Sequence, residues 1–172
     1  YMSSTINDFQ NFFSKDKEKV SFNISEQINT SINIISSGLK KNKIHLDIII
    51  KKNPIVCGFK NEYSQVVINI VNNARDMLIA RKIENPKIKI IIDEDYDTAV
   101  LRIVDNAGGI EDSMISKIFE PFFTKEKSNG TGIGLFMSKL IIENNMGGEL
   151  TAINSKEGAE FIIVVPKANS KN

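Results

Sequence analysis

A stripe of amide and acidic side chains is the first feature of this sequence that could do chemistry. A helix is predicted over about residues 61–82, and its polar positions recur at spacings of 3, 4, 4 and 3: Glu62, Gln65, Asn69, Asn73 and Asp76. Such spacing places side chains on one helical face. Asn is a poor helix former, and a solvated face more often carries Lys and Glu. Amide oxygens are neutral, hard ligands for Mg²⁺, so the stripe is either a ligand-binding surface or an unusual solvated face.

A second feature is an acidic residue at the end of a predicted strand, followed closely by two glycines. Asp105 ends the strand, and Gly108 and Gly109 follow after Asn106 and Ala107. A carboxylate oxygen accepts a hydrogen bond from an exocyclic amine, and glycines let the backbone approach a planar ring. The segment therefore suits recognition of a purine base, although the same residues would also make an ordinary tight turn.

A third feature is a set of alternating glycines that opens a predicted helix. Gly130, Gly132 and Gly134 leave backbone N–H groups free at a helix N-terminus, where the helix dipole favours anions. The pattern is not the dinucleotide-binding fingerprint, because Leu135 stands where its third glycine would be. It is not a Walker loop either, since no Gly-Lys-Ser/Thr follows. The segment is a phosphate-binding loop or a flexible hinge.

Between the two glycine loops lies an aromatic segment that contains Phe119, Phe122 and Phe123. These rings would serve as a small satellite core or as anchors of a flap that closes over a nucleotide. In the second case, Lys125 or Lys127 would neutralise a γ-phosphate. The glycine-rich ends and a length of roughly 20 residues favour the flap.

The elements that must position these residues are of mixed type. Strands are predicted at residues 21–24, 44–50, 55–59, 87–93, 98–105, 149–154 and 160–166, and helices at 25–39, 61–82, 112–118 and 134–145. Hairpins dominate the second half of the chain, which predicts an α+β fold and not a doubly wound parallel sheet.

Composition limits the class of protein further. The chain has 172 residues, a length that fits one domain or one domain with an appendage, and it is 41% hydrophobic with a formal charge of +1. This charge gives no electrostatic reason to expect nucleic acid or an anionic membrane as the main partner. Cys57 is the only cysteine, so disulfides are excluded, and its apolar strand predicts a buried thiol.

The first residues carry a separate apolar pattern. Met2, Ile6, Phe9 and Phe13 are spaced 4, 3 and 4 residues apart and would line one face of a helix. The pattern is typical of a helix docked on the domain or of half of a coiled-coil hairpin.

In this order, the amide helix, the Asp105 loop, the Phe segment and the second glycine loop resemble the N, G1, F and G2 boxes of bacterial sensor histidine kinases. The resemblance is to their ATP-binding catalytic domain and covers about residues 20–167. It implies the Bergerat fold, a two-layer α/β sandwich in which helices cover one face of a mixed sheet and ATP lies under a lid. Residues 1–19 are similar to the end of a dimerisation helix with its linker, and residues 168–172 would be a tail.

The resemblance also implies a role for each motif. Asn73 and Asn69 look like the Mg²⁺ ligands, Asp105 like the acceptor for the adenine amine, and Asn69 and Lys125 like catalytic residues. The implied contacts to ATP come from Asn69, Asn73, Asp76, Asp105, Gly109, Ile110, Phe122, Gly130, Thr131, Gly132, Ile133, Gly134 and Leu135. Ala107 departs from the family pattern, which often has Gly there, and its methyl group should not prevent binding.

The kind of reaction depends on Asn69. In related ATP hydrolases a Glu at this position activates water. An amide cannot accept a proton at neutral pH, so the resemblance implies a phosphoryl donor that awaits another nucleophile.

That nucleophile is not expected within this chain. The only histidine, His45, lies in an alternating strand and is followed by Leu46, not by an acidic residue. The resemblance therefore implies an acceptor histidine on a dimerisation hairpin absent from this chain and a response regulator receiver domain downstream. It also implies a cytoplasmic domain whose parent protein is either free or anchored at the membrane. The alternatives are a serine kinase of the anti-sigma-factor type and a non-catalytic nucleotide-binding module.

Overall fold

The computed structural model describes residues 18–124 and 130–168. Within them lie seven strands: β1 (Val20–Asn23), β2 (His45–Ile50), β3 (Ile55–Gly58), β4 (Lys87–Glu94), β5 (Thr98–Asp105), β6 (Glu149–Asn154) and β7 (Ala159–Pro166). Five of them form one sheet in the order β2-β4-β5-β7-β6, and β1 pairs with β3 in a separate two-stranded sheet. In the large sheet β2 and β4 are parallel and the other pairs are antiparallel, so the sheet is mixed.

The helices are α1 (Ile24–Lys41), α2 (Lys60–Ala80), the short α3 (Asp112–Ile115) and α4 (Gly134–Leu140), and α4 continues as a π-helical turn over Ile141–Asn145. The start of α1 is capped by Asn23, whose side-chain oxygen accepts from the backbone N–H of Glu26 at 3.3 Å. The predicted helix over residues 61–82 is α2, and it begins and ends within two residues of the prediction.

The core lies between the helices and one face of the sheet. Alternate residues of β4 and β5 are fully or almost fully buried, namely Ile88, Ile90, Ile92, Leu101 and Ile103. They pack in one cluster with the apolar side of α2, which includes Val66, Val67, Ile70, Val71, Ala74 and Leu78. This arrangement confirms the predicted α+β fold with helices on one face of a mixed sheet.

The prediction for Cys57 was wrong, because its side chain is exposed. In β3 the residues alternate, so that Val56 and Gly58 are buried while Ile55 and Cys57 face outward. The apolar neighbours of Cys57 suggested a strand buried on both faces. The strand instead belongs to the two-stranded sheet, and only its alternate positions are covered.

Several expectations lie outside the described residues, namely the helix carrying Met2 and Phe13, the two lysines of the flap, and all but the first residue of the tail. Among the residues that the structure describes, no helix is long and apolar enough to cross a membrane.

Candidate nucleotide-binding site

The amide stripe of α2 meets the second glycine loop. The side-chain N–H groups of Asn69 donate to the backbone oxygen of Gly134 at 3.3 Å and to the hydroxyl of Ser138 at 3.2 Å. Its oxygen accepts from Gln65 at 2.9 Å. Gly134 and Ser138 follow Asn69 in the chain by 65 and 69 positions, respectively. Asn69 therefore fixes the start of α4 against α2.

The far end of α2 meets the first glycine loop. Arg81, the residue that follows the helix, donates from Nη1 to the backbone oxygens of Ala107 at 2.6 Å and Gly109 at 2.9 Å. At the 1.5 Å rise of a helix, Asn69 and Arg81 are roughly 18 Å apart along the axis. The two loops are thus attached to α2 near its middle and just after its C-terminal end.

Asn73 and Asp76 lie between these two attachments, on the same stripe of α2. Asn73 is half-buried, and its amide makes no hydrogen bond with the described residues. Asp76 is exposed and forms an ion pair with Arg75 at 2.8 Å. The part of the chain that the structure describes contains no group of three or more His, Cys, Asp or Glu that could hold a metal ion. A cation bound beside this stripe of α2 would therefore depend on amide oxygen, on water and on the ligand's own phosphates.

The carboxyl group of Asp105 is buried beside the first glycine loop. Asp105 is 5% exposed, and its Oδ1 accepts from the backbone N–H of Ala107 at 2.8 Å. Burial raises the pKa of this carboxyl group, while backbone hydrogen bonds from Ala107 and Ala159 and the charge of Arg81 act in the opposite direction. A carboxylate has about four acceptor sites, so the two backbone bonds leave capacity for a donor on a ligand.

The first glycine loop is also held from its other side, by Asn154 at the end of β6. Its Oδ1 accepts from the backbone N–H of Ile110 at 2.8 Å, and its Nδ2 donates to the backbone oxygen of the same residue at 2.7 Å. Gly109 has a φ of +82°, and a Cβ there would lie 2.7 Å from Oδ1 of Asn154. Glycine at this position is thus favoured by the backbone conformation, and a larger residue would also have to displace the side chain of Asn154.

The Phe segment is fastened to the second glycine loop. The backbone N–H of Phe122 donates to the carbonyl oxygen of Gly132 at 2.9 Å. Gly132 has a φ of +69°, and a Cβ there would lie 2.6 Å from the carbonyl carbon of Phe122. The ring of Phe119 packs edge-on against Phe161 with centroids 6.3 Å apart, whereas Phe122 is 73% exposed. The segment therefore combines a core anchor with an exposed aromatic side chain.

The second glycine loop is exposed at its start and partly or fully covered where it joins α4. Gly130 and Thr131 are exposed, Ile133 is buried, and Leu135 is half-buried against the core, as is Ile110 of the first loop. The apolar residues anchor the loops, whereas the first glycine and the threonine of the second loop are left exposed. The structure thus attaches the second loop to α2 through Asn69 and the first loop to the residue after α2, while Lys125 lies outside the described residues.

Sequence reasoning missed three residues of the site: Arg81, Asn154 and Gly158. Gly158 lies in the β6–β7 turn, where a Cβ would be 2.2 Å from the backbone oxygen of Asp105 and 3.1 Å from its Oδ1. In the sequence, Asn154 ends a predicted strand and Gly158 lies between two predicted strands, with no sign of a role in the site. No local signal could have found these contacts, because each partner lies on a different element.

Gly158→Ala is expected to lower the free energy of unfolding by about 2 kcal/mol and to weaken nucleotide binding, because overpacking would displace Asp105. Gly147→Ala is the control, since that position has a φ of +64° but nothing within 4 Å of an added Cβ. Urea unfolding and titration with a non-hydrolysable ATP analogue would measure both effects. Equal nucleotide affinity in the two variants would show that Gly158 does not support the Asp105 site.

The comparison with known proteins defines the class. Residues 59–169 match the family described as histidine kinase-, DNA gyrase B-, and HSP90-like ATPase, and the chain belongs to this family. Together with the fold and the four motifs, this match identifies an ATP-binding catalytic domain of the sensor histidine kinase type.

The individual relatives agree with this class. The two-component sensor PprA of Pseudomonas aeruginosa is 34% identical over 143 residues, a match that covers 80% of this chain and 15% of PprA. The nucleotide-free catalytic domain of the histidine kinase ThkA is 29% identical with a TM-score of 0.77, covering 89% of this chain and 99% of that domain. ThkA in complex with the response regulator protein TrrA matches with 28% identity and a TM-score of 0.77, over 99% of this chain and 49% of the solved chain. The chain thus matches a whole catalytic domain but a small part of a curated sensor.

Proposed function

We propose that this domain binds ATP with Mg²⁺ along the amide stripe of α2 and donates the γ-phosphoryl group to a histidine on a dimerisation hairpin absent from this chain. The observation that carries the proposal is the attachment of both glycine loops to α2, through Asn69 near its middle and Arg81 just after its end. The base lies at Asp105, and the triphosphate extends towards the helix start at Gly134, where free N–H groups favour anions.

Asn73 is the protein ligand that best fits Mg²⁺ in this arrangement. Its half-buried amide lies between the two loops and has no hydrogen bond with the described residues. Asn69 is the second proposed ligand, although its amide oxygen already accepts from Gln65. When bound, Mg²⁺ supplies positive charge that offsets the charge of the phosphates.

Phosphoryl transfer is favoured over hydrolysis by the chemistry of Asn69. Its amide N–H groups face Gly134 and Ser138, and an amide is not a base at neutral pH. At this position, therefore, no group activates water. Catalysis would then come from positioning and charge neutralisation, as is general in phosphoryl transfer.

The acceptor and the next partner are proposed by analogy with the relatives. His45 is unsuited to be the acceptor, because it lies in the edge strand β2 and is followed by Leu46, whereas the proposed acceptor lies on a helical hairpin and precedes an acidic residue. The complex of ThkA with TrrA supports a response regulator receiver domain as the downstream partner. We also propose that the domain lies in the cytoplasm, where ATP is available. The parent protein would be either free or anchored at the membrane.

Mixing the chain with γ-labelled ATP, Mg²⁺ and a dimerisation hairpin from a sensor kinase is expected to label the hairpin on histidine. The phosphoramidate bond is acid-labile, so acid treatment should release the label. Without the hairpin, ATP should be hydrolysed no faster than in a blank, because Asn69 cannot activate water.

A hairpin whose acceptor histidine is replaced by glutamine is the control for this assay and should stay unlabelled. An acid-stable label on serine of a protein substrate would favour the serine kinase instead. Rapid hydrolysis by the chain alone would identify an ATPase, and nucleotide binding with neither reaction would identify a non-catalytic module.

A further inference from the structure

The loop from Asp105 to Ile110 is held by two side chains that belong to none of the four motifs. Arg81 binds two of its carbonyl oxygens from the α2 side, and Asn154 binds its backbone from the β6 side. Arg81 and Asn154 are both exposed residues, so core packing does not explain why their side chains lie against this loop.

We propose that Arg81 and Asn154 are positioning residues for nucleotide binding, which together hold the first glycine loop where it meets the base. This inference rests on the proposed binding of the base at Asp105 and adds the residues that prepare that site. Neither side chain is assigned a contact with the nucleotide, so both act through the loop.

The argument for a positioning role begins with the cost of ordering glycine. Gly108 and Gly109 have φ values of +96° and +82°, and glycine loses more conformational freedom on ordering than other residues. A loop that becomes ordered only when the ligand binds subtracts that cost from the affinity. Two clamps that order the loop in the free protein remove this cost.

The two clamps are chemically suited to backbone groups. The guanidinium of Arg81 carries only donors, and it meets two carbonyl oxygens. The amide of Asn154 carries a donor and an acceptor, and it meets the carbonyl and the N–H of one residue, Ile110. Asn154 also approaches Asp112 at 3.4 Å, at the start of α3, which extends its hold beyond the glycines.

Arg81 has a second effect that Asn154 lacks, because it carries a charge. The groups that act on the carboxyl of Asp105 are the backbone N–H groups of Ala107 and Ala159 and the guanidinium of Arg81. Of the described residues, Arg81 supplies the only charge among these causes. Loss of that charge would raise the pKa of Asp105 further, so the carboxylate would be lost at a higher pH than in the unaltered chain.

The test is calorimetric titration of the whole chain with a non-hydrolysable ATP analogue, repeated between pH values of about 5 and 8. The variants are Arg81→Met, Arg81→Lys and Asn154→Ala, with Lys82→Met as a control that removes the neighbouring charge. Asp105→Asn is measured beside them as the reference for the base site. Urea unfolding of each variant without ligand reports on the fold.

We expect Arg81→Met and Asn154→Ala each to weaken binding roughly tenfold at neutral pH, as the loss of one or two hydrogen bonds would predict. Affinity falls as the pH is lowered, and in Arg81→Met alone this fall should occur at a higher pH. Arg81→Lys should return the fall to the pH seen in the unaltered chain. Lys82→Met should bind as the unaltered chain does.

Two results would overturn the inference. One is normal binding by Arg81→Met and Asn154→Ala when Asp105→Asn has lost it, and in that case the proposed function stands. The other is a loss of affinity that only accompanies a loss of folding stability, while the pH at which acid weakens binding is the same in Arg81→Met as in the unaltered chain. Normal binding by Asp105→Asn would instead remove the base site itself, and the proposed function would fail with it.

Discussion

Asn73→Ala is expected to abolish Mg²⁺-dependent ATP binding and to leave the fold intact. The side chain lies half-buried on α2 between the two loop attachments and makes no hydrogen bond with the described residues. No internal bond of the described chain is therefore lost. Alanine is the better helix former by about 0.6 kcal/mol, which should keep the free energy of unfolding unchanged or slightly higher.

The measurement is affinity for the ATP analogue with Mg²⁺ and with a chelator. In the unaltered chain, Mg²⁺ should strengthen binding, and in Asn73→Ala the two affinities should coincide. Asn61→Ala is a matched control, because Asn61 is an exposed asparagine in the first turn of the same helix. If Asn73→Ala still responds to Mg²⁺, the ion is held elsewhere.

Asp105→Asn is expected to reduce ATP affinity roughly 100-fold, the size expected for losing a charge-assisted hydrogen bond and gaining a mismatched one. In the unaltered chain the backbone N–H of Ala107 donates to Oδ1 of Asp105 at 2.8 Å, and in the variant it would keep the side-chain oxygen of Asn in that place. The amide N–H₂ would then face the adenine amine, so that two donors would meet. Asp97→Asn, in the exposed turn between β4 and β5, is the control and should bind normally.

Because of Asp105, we expect folding stability and nucleotide affinity to change with pH in opposite directions. Because burial raises the pKa of Asp105 in the folded chain, the folded state holds more protons than the unfolded state between the ordinary and the raised pKa. Across that window the contribution of this group to stability falls as pH rises. Nucleotide affinity should rise over the same window, because the acceptor becomes charged.

Urea unfolding and analogue titration across this window would measure the two trends, and both should be lost in Asp105→Asn. If that variant kept the pH dependence of nucleotide affinity, the titrating group would be another residue. If it bound ATP as well as the unaltered chain does, the adenine assignment would be wrong.

Much of the fold could be predicted from the sequence, because it is encoded by local periodicity. The 3.6-residue pattern of α2 and the alternation in β4 and β5 required only neighbouring residues, and the structure places these elements close to the predicted bounds. The glycines at residues 109 and 132 could be recognised from the sequence as loop positions, and the structure places each in a left-handed conformation that other residues rarely adopt. The family followed from the order of these local signals.

Other features were decided only by the tertiary structure. Arg81 meets a loop 26 residues later in the chain, Asn154 holds a residue 44 positions earlier, and Asn69 reaches a helix 65 positions later. Cys57 became exposed because its strand joined a second sheet. Local sequence fixes backbone conformation and which face is apolar, but the packing of distant elements determines which polar groups meet. The sequence by itself therefore determined the elements, the family and the motif residues of this domain, and packing alone decided how its first glycine loop is held.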